Sequence, residues 1–231
     1  MNLLLCAAVA VCVQAPVADQ AALMKTFRDE FVAISPGQGS FPAELKIPAD
    51  VGGEPRVLRP TSSFSIAKYE VPQNLYENVM GRNSSRWKGP RNSVEMISLA
   101  EAKTFCQKAT ELLRRDRLIG DDEVVRLPTE LEWEYACRAA TTTAYSFGDD
   151  AAQLDEYGWH NGNAAGNDPP VGAKKPNPWG LYDFHGYLAE LCEPERDEKS
   201  ADAAKTLVAA RGGSWKEKAA ECRSSSRKEL S

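Results

Sequence analysis

Histidine is almost missing from this 231-residue chain: His160 and His185 are the only two, with a Pro- and Gly-rich loop between them rather than a helical i, i+4 spacing. A multi-histidine iron centre therefore has too few ligands. The sequence also lacks a Gly-rich phosphate loop, a repeated Cys-x-x-Cys and any recognisable Ser/His/Asp arrangement. Charge of one sign is not in excess. The 28 basic and 33 acidic residues give a formal charge of −5, and the basic ones are scattered, so no nucleic-acid footprint is present. The only long apolar run, Leu3 to Val13, is too short to cross a bilayer. It is followed by Val13-Gln14-Ala15, small at the positions a signal peptidase reads. Residues 1–18 are thus read as an export leader, with Pro16 shifting the cut towards Ala18 even though the start carries no Lys or Arg. The mature chain is expected to be secreted or periplasmic, with no membrane insertion. Cys6 and Cys12 leave with the leader, so Cys106, Cys137, Cys192 and Cys222 remain in an oxidising compartment.

What is present is ordinary globular material. Hydrophobic residues make up 42% and charged residues 26%, enough for one domain, taken as 31–231. Before Phe64, Pro36-Gly37, Pro42, Pro48, Gly52-Gly53 and Pro55 favour short strands and turns over helices, and Phe64-Ser65-Ile66-Ala67 alternates as a half-buried strand. Two helices are well specified. Ser98 with Glu101 forms a capping box ahead of the inward positions Ala102, Phe105, Cys106, Ala109, Leu112 and Leu113. Thr129 with Glu132 forms another ahead of Trp133, Ala136, Cys137 and Ala140. A shorter helix is expected from Pro72 to Met80, stopped by Gly81. From Thr141 to Asp183 the density of Gly, Pro, Asn and aromatics predicts long ordered loops, anchored by Tyr157, Trp159, Trp179 and Tyr182. The fold class is α+β, with two main helices, short strands and many ordered loops.

These residues resemble a known family. Arg126-Leu127-Pro128-Thr129-Glu130-Leu131-Glu132-Trp133-Glu134-Tyr135-Ala136 is similar to the R-L-P-T-E-A-E-W-E-Y-A signature of the formylglycine-generating enzymes, or sulfatase-modifying factors. Tyr69-Glu70-Val71, Trp179-Gly180-Leu181-Tyr182-Asp183, Arg211-Gly212-Gly213-Ser214-Trp215 and Cys222-Arg223 through Arg227 resemble its other motifs in the same order. The resemblance implies that family's fold, a variant of the C-type lectin fold. Physically, Arg126, Trp133, Gly212 and Gly213 read as structural positions: a helix start, a buried indole and a close backbone approach.

In the family's oxidases a Cu(I) ion held by two thiolates in the segment after R-G-G-S converts a substrate Cys to formylglycine. Here that segment holds only Cys222, so copper and catalysis are not expected. The G-N-x-W-E-W segment, which in the family helps to bind a structural calcium, reads Gly186-Tyr187-Leu188-Ala189-Glu190-Leu191. Glu190 survives as a vestigial ligand, the side-chain amide is gone, and two indoles become Ala189 and Leu191, leaving core volume to be refilled. Asn161, Asn163, Asn167 and Asp168 form a second oxygen-rich loop, with Asn163 as the candidate calcium ligand, though turns need the same residues. No counterpart of the family's closing G-F-R strand follows Arg227, which resembles a C-terminal truncation. Four cysteines allow three complete pairings; by the family's arrangement Cys137 and Cys222 lie near one another, and a bridge between them is expected, with Cys106 and Cys192 free. The function expected is a secreted, non-catalytic binding or structural module with a protein or glycan ligand. The alternative is a formylglycine-generating or related non-haem metal oxidase with an atypical ligand set.

Overall fold

A computed structural model describes residues 17–49, 54–164, 166, 168–193 and 208–230. The leader read at residues 1–18 falls almost wholly outside them, as do Asn167 and most of the charged stretch 193–202. Among the described residues are five α-helices and seven short strands, and every strand pairing is antiparallel.

The expectation of strands and turns alone before Phe64 is corrected by α1 (Val17–Asp29). Ala21, Ala22, Leu23, Met24 and Lys25 are strong helix formers, and the Pro and Gly breakers begin only at Pro36. Met24 and Phe27 are buried, and the Phe27 ring meets Phe31 and Phe105 edge-on at 4.9 and 6.2 Å. The packed body therefore extends N-terminal of Phe31. Two ribbons follow: β1 (Phe31–Ile34) pairs with β4 (Phe64–Ala67), and β2 (Leu45–Ile47) pairs with β3 (Arg56–Leu58). In β2 the buried Leu45 and Ile47 flank exposed Lys46, the period of two that a half-covered strand needs.

Helix α2 (Gln73–Met80) buries Leu75, Tyr76 and Val79 and stops at Gly81, whose φ of 75° suits a residue without Cβ. Helix α3 (Leu99–Arg115) starts on the Ser98–Glu101 box, with both reciprocal hydrogen bonds present. Helix α4 (Glu130–Arg138) starts on the Thr129–Glu132 box, and Arg126 grips the capping carboxylate through two nitrogens at 2.6 and 2.7 Å. Such a cap stabilises a helix by about 1 kcal/mol. Helix α4 is buried from Glu132 to Arg138, so it is the central post of the core rather than a surface helix. From its end to the last sheet the chain is loop, broken by a single 3-10 turn and by α5 (Leu154–Tyr157). The expected aromatics hold it: Trp179 packs on Phe41 and Tyr135, Tyr182 on Tyr69, and Tyr157 on Phe147.

The last sheet has the order β5 (Glu190–Cys192), β6 (Val208–Arg211), β7 (Arg227–Leu230). Among the described residues β7 takes the outer position, exposed at all four residues. Gly212 and Gly213 turn the chain out of β6 with φ of 85° and 71°. A Cβ at Gly212 would meet Phe184 O at 3.0 Å and the Trp133 ring at 3.1 Å, so the close approach read from Arg-Gly-Gly is a packing requirement. No helix among the described residues is long and apolar enough to cross a membrane.

Candidate functional site

The segment after Gly213, where the family's chemistry would sit, ends in a short 3-10 turn that buries Cys222. The expected Cys137–Cys222 bridge is not formed; Cys106, Cys137, Cys192 and Cys222 are all free. The imidazole of His185 contacts both of the expected partners and fills the space a bridge would need. Its Nε2 lies 3.9 Å from Cys137 Sγ, and its Nδ1 is 2.9 Å from the Cys222 carbonyl oxygen. The Cys222 thiol turns instead towards Lys218 O, at 3.7 Å. Burial pushes the Cys222 thiol up to about 12, helped by the charges of Glu217 and Glu221, and burial pushes Cys137 to about 12 as well. Burial disfavours the thiolate at both, and the two sulfurs face different partners, His185 and Lys218 O, rather than one shared ligand position.

His185 is no better as a ligand. Because Nδ1 faces a carbonyl it must carry the proton, which leaves Nε2 to accept from Ser146 N–H at 3.1 Å, with Ser146 Oγ at 2.9 Å. Burial lowers this histidine to about 4, so it stays neutral. His160 sits apart on the loop surface, with Nε2 2.8 Å from Asp155 Oδ1.

The vestigial calcium ligands are not brought together. Asn163 spends its amide on its own turn, donating to Asp155 Oδ1 and Gly158 O and accepting from His160 N–H. At the position of the family's other Asn, the Tyr187 phenol donates to Pro169 O at 2.6 Å and accepts from Ser93 N–H at 3.1 Å. Among the described residues no group of three His, Cys, Asp or Glu is arranged to hold a metal. The residues present fit neither copper nor calcium.

The core holds carboxyl groups in two settings. In one, Glu134, only 2% exposed, is held by three guanidinium groups. Arg56 grips it through two nitrogens at 2.7 and 3.0 Å, Arg138 Nε lies at 2.9 Å, and Arg211 completes the set. Burial would raise this carboxyl, but the Arg56 hydrogen bonds and the charges of Arg211 and Arg138 hold it below the usual range. In the other stand Glu70, Asp183 and Glu190, none in a salt bridge with a described residue. Glu70 Oε1 accepts from Leu188 N–H at 3.1 Å and Asp183 Oδ2 from Gly172 N–H at 2.7 Å. Glu70 Oε2 and Asp183 Oδ1 are buried without a partner. Burial, followed by the charges of Glu190 and Asp183, drives Glu70 well above the carboxylate range. Burial also lifts Asp183 to about 6, and Glu190 to about 8, where Asp183 adds to the rise.

Glu70 and Glu190 line a cavity of about 870 Å³. Its walls come from α1, β1, β4, α3 and the segment 124–127, closed on another side by Leu188, Ala189 and Leu191. Three of its lining residues, Met96, Val124 and Leu230, are among the exposed large apolar side chains, so the cavity opens to solvent there. The expectation that Ala189 and Leu191 leave core volume to be refilled is corrected: Ala189 is exposed and Leu191 half-buried, so the first is not a core position.

The model of the sulfatase-modifying factor enzyme 1-like domain matches residues 18–231. The chaperone protein LppX of Paenibacillus barcinonensis is 28% identical, over 67% of this chain and 70% of its own length. The formylglycine-generating enzyme of Mycobacterium tuberculosis is 37% identical, but over 30% of this chain and 27% of its own. Among solved structures, Treponema denticola variable protein 1 superposes with a TM-score of 0.71 at 25% identity, covering 87% of this chain and 89% of that one. PvdO from Pseudomonas aeruginosa superposes at 0.64 and 21% identity, covering 87% and 88%, and shares the fold.

Proposed function

Since this chain belongs to the sulfatase-modifying factor enzyme 1-like domain family, we propose that it uses the family scaffold as a non-catalytic binding module for a polypeptide partner, exported from the cytoplasm by the leader at residues 1–18. The observation that carries this reading is Cys222: it is the only cysteine after Gly213, it is buried, and its thiol is pushed up to about 12. An oxidase of the family's kind needs a pair of thiolates there, and a binding module needs none. A polypeptide partner is favoured over a glycan by the relative LppX, whose name is that of a chaperone, and the loops between α4 and β5 supply an ordered surface for it.

The test is twofold. The reduced, Cu(I)-loaded protein is incubated with a Cys-x-Pro-x-Arg peptide under oxygen, and no aldehyde is expected; turnover sinks the non-catalytic reading. The full chain is also added to the B chain of insulin as it aggregates after reduction. Delayed light scattering is expected, and an unchanged time course counts against a polypeptide-binding role.

A further inference from the structure

We propose that Asn161 is a self-modifying site: the Gly162 backbone nitrogen attacks its side chain and converts it, without an enzyme, to aspartate and isoaspartate. Asn161-Gly162 is the only Asn-Gly pair in the chain. A glycine leaves the attacking nitrogen unshielded by a Cβ and the backbone free to swing towards the side-chain carbonyl carbon. Both residues are exposed, in the loop between α5 and β5. The other described asparagines are restrained. Asn83 donates to Gln73 Oε1 and accepts from Ser85 N–H, Asn92 donates to Asp168, and Asn163 donates to Asp155 Oδ1 and Gly158 O. Asn177 donates to Ala136 O and precedes Pro178, which has no N–H to lose. Asn74 accepts from Leu75 N–H, the nitrogen that would have to attack it, and Asn78 Oδ1 is buried. The Asn161 side chain has no partner among the described residues.

The attacking nitrogen is also prepared. Gly162 N–H points at His160 Nδ1, 3.1 Å away, and His160 Nε2 lies 2.8 Å from Asp155 Oδ1. The ring therefore donates through Nε2 and keeps a lone pair on Nδ1 facing the amide proton, which draws electron density onto the glycine nitrogen. A Cβ at Gly162 would lie 2.7 Å from His160 Cε1, so the imidazole rests directly against this residue. In the reaction a bond forms between Gly162 N and Asn161 Cγ, and the bond from Cγ to the side-chain nitrogen breaks. That nitrogen leaves as ammonia, taking up the glycine proton by way of solvent. Water then opens the cyclic imide at one carbonyl or the other, giving aspartate or isoaspartate; nothing is oxidised or reduced. The product carries a new negative charge. Isoaspartate also adds a methylene to the main chain inside the turn that Asn163 N–H and Ala164 N–H close on His160 O, next to the Asn161 N–H bond to Glu217 O. The change falls where this loop is tied to the segment after Gly213.

This site goes beyond the binding role and does not rest on it. The full chain is aged at neutral pH and physiological temperature beside a Trp-His-Asn-Gly-Asn-Ala peptide. Both are mapped by mass spectrometry, released ammonia is measured, and isoaspartate is labelled with its methyltransferase. Asn161 is expected to be modified ahead of every other asparagine, and at least as fast in the folded chain as in the peptide. Asn161→Gln is expected to lose the labelling and most of the ammonia release. It alters an exposed side chain without a partner among the described residues, so it is expected to melt cooperatively like the unmodified chain. Gly162→Ala is expected to slow the reaction. An intact Asn161 after the peptide has turned over, earlier modification at another asparagine, or ammonia release unchanged in Asn161→Gln overturns the proposal. The unmodified chain and Asn161→Gln decide the matter even if Gly162→Ala does not fold.

Discussion

Glu134 and the Glu70–Asp183–Glu190 trio solve the problem of a carboxyl held in the core in opposite ways. Glu134 stays ionised because Arg56, Arg138 and Arg211 surround it. The trio, without a cation among the described residues, is shifted by burial towards its protonated forms instead, Glu70 and Glu190 more than Asp183. Burial disfavours charge in both places; the neighbours decide which side wins. One cluster is a finished structural joint, and the other is chemically open.

The largest effect is expected at Trp133, which meets Arg211 of one setting and Glu190 of the other. Trp133 is fully buried, packs at a tilt on Phe184 with centroids 5.2 Å apart, and lies under the Arg211 guanidinium at 5.3 Å. Trp133→Ala is expected to cost about 3–5 kcal/mol in urea denaturation; a midpoint within error of the unmodified chain would show that α4 is not the central post.

Next in size is Glu134→Gln, which leaves Arg138 and Arg211, both buried, without their charge partner, at a cost of about 3 kcal/mol. Its pH dependence is specific. The folded-state value of Glu134 lies below the unfolded one, so its contribution is complete above the unfolded value, near 4.3, and fades as the pH falls through the folded one. The penalty of the variant is therefore expected to shrink on acidification, as thermal melts between pH 3 and 7 would show.

Glu190→Gln tests the other cluster and has the opposite sign. With its folded-state value raised to about 8, Glu190 holds a proton in the native state that the unfolded chain has released, so stability declines as the pH rises from about 4 towards 8. An amide cannot ionise. The variant is expected to melt higher than the unmodified chain at pH 8 and alike at pH 4; a penalty that grows with pH would place Glu190 in an ion pair instead.

The smallest effect concerns the thiols. With Cys137 and Cys222 unbridged, a reductant is expected to leave the melting temperature of the mature protein unchanged, whereas a bridge closing so long a loop would be worth roughly 4–5 kcal/mol. A clear fall in melting on reduction would restore the bridge.

Much of the fold was legible because it is written locally. The boxes Ser98–Glu101 and Thr129–Glu132, the stop at Gly81 and the alternation of Phe64 to Ala67 all use neighbours in sequence, and all stand as expected. Helix α1 was missed because its burial rests on Met24 and Phe27, too few positions to mark a helical period in a polar segment. The site was less legible. Glu70, Asp183 and Glu190 come from three separate segments, each explained locally by a family motif, and nothing in any one of them shows that the others lie near. The same holds for Glu134, whose partners Arg56 and Arg211 are 78 and 77 residues away. Cys137 and Cys222 both meet His185, and no pattern in the sequence marks that imidazole as their common neighbour.

That imidazole gives the protein a built-in reporter. His185 is fixed in one tautomer by Ser146 on one side and the Cys222 carbonyl on the other, and its neutral form persists down to about pH 4. Its ring is enclosed by α4 at Cys137, the loop at Tyr145 to Phe147 and the turn at Cys222, so the Nδ1 proton exchanges only when these three part. A single slowly exchanging nitrogen-bound proton in a magnetic resonance spectrum would thus watch the meeting of helix, loop and terminal turn, and would vanish at the first loosening of any of them.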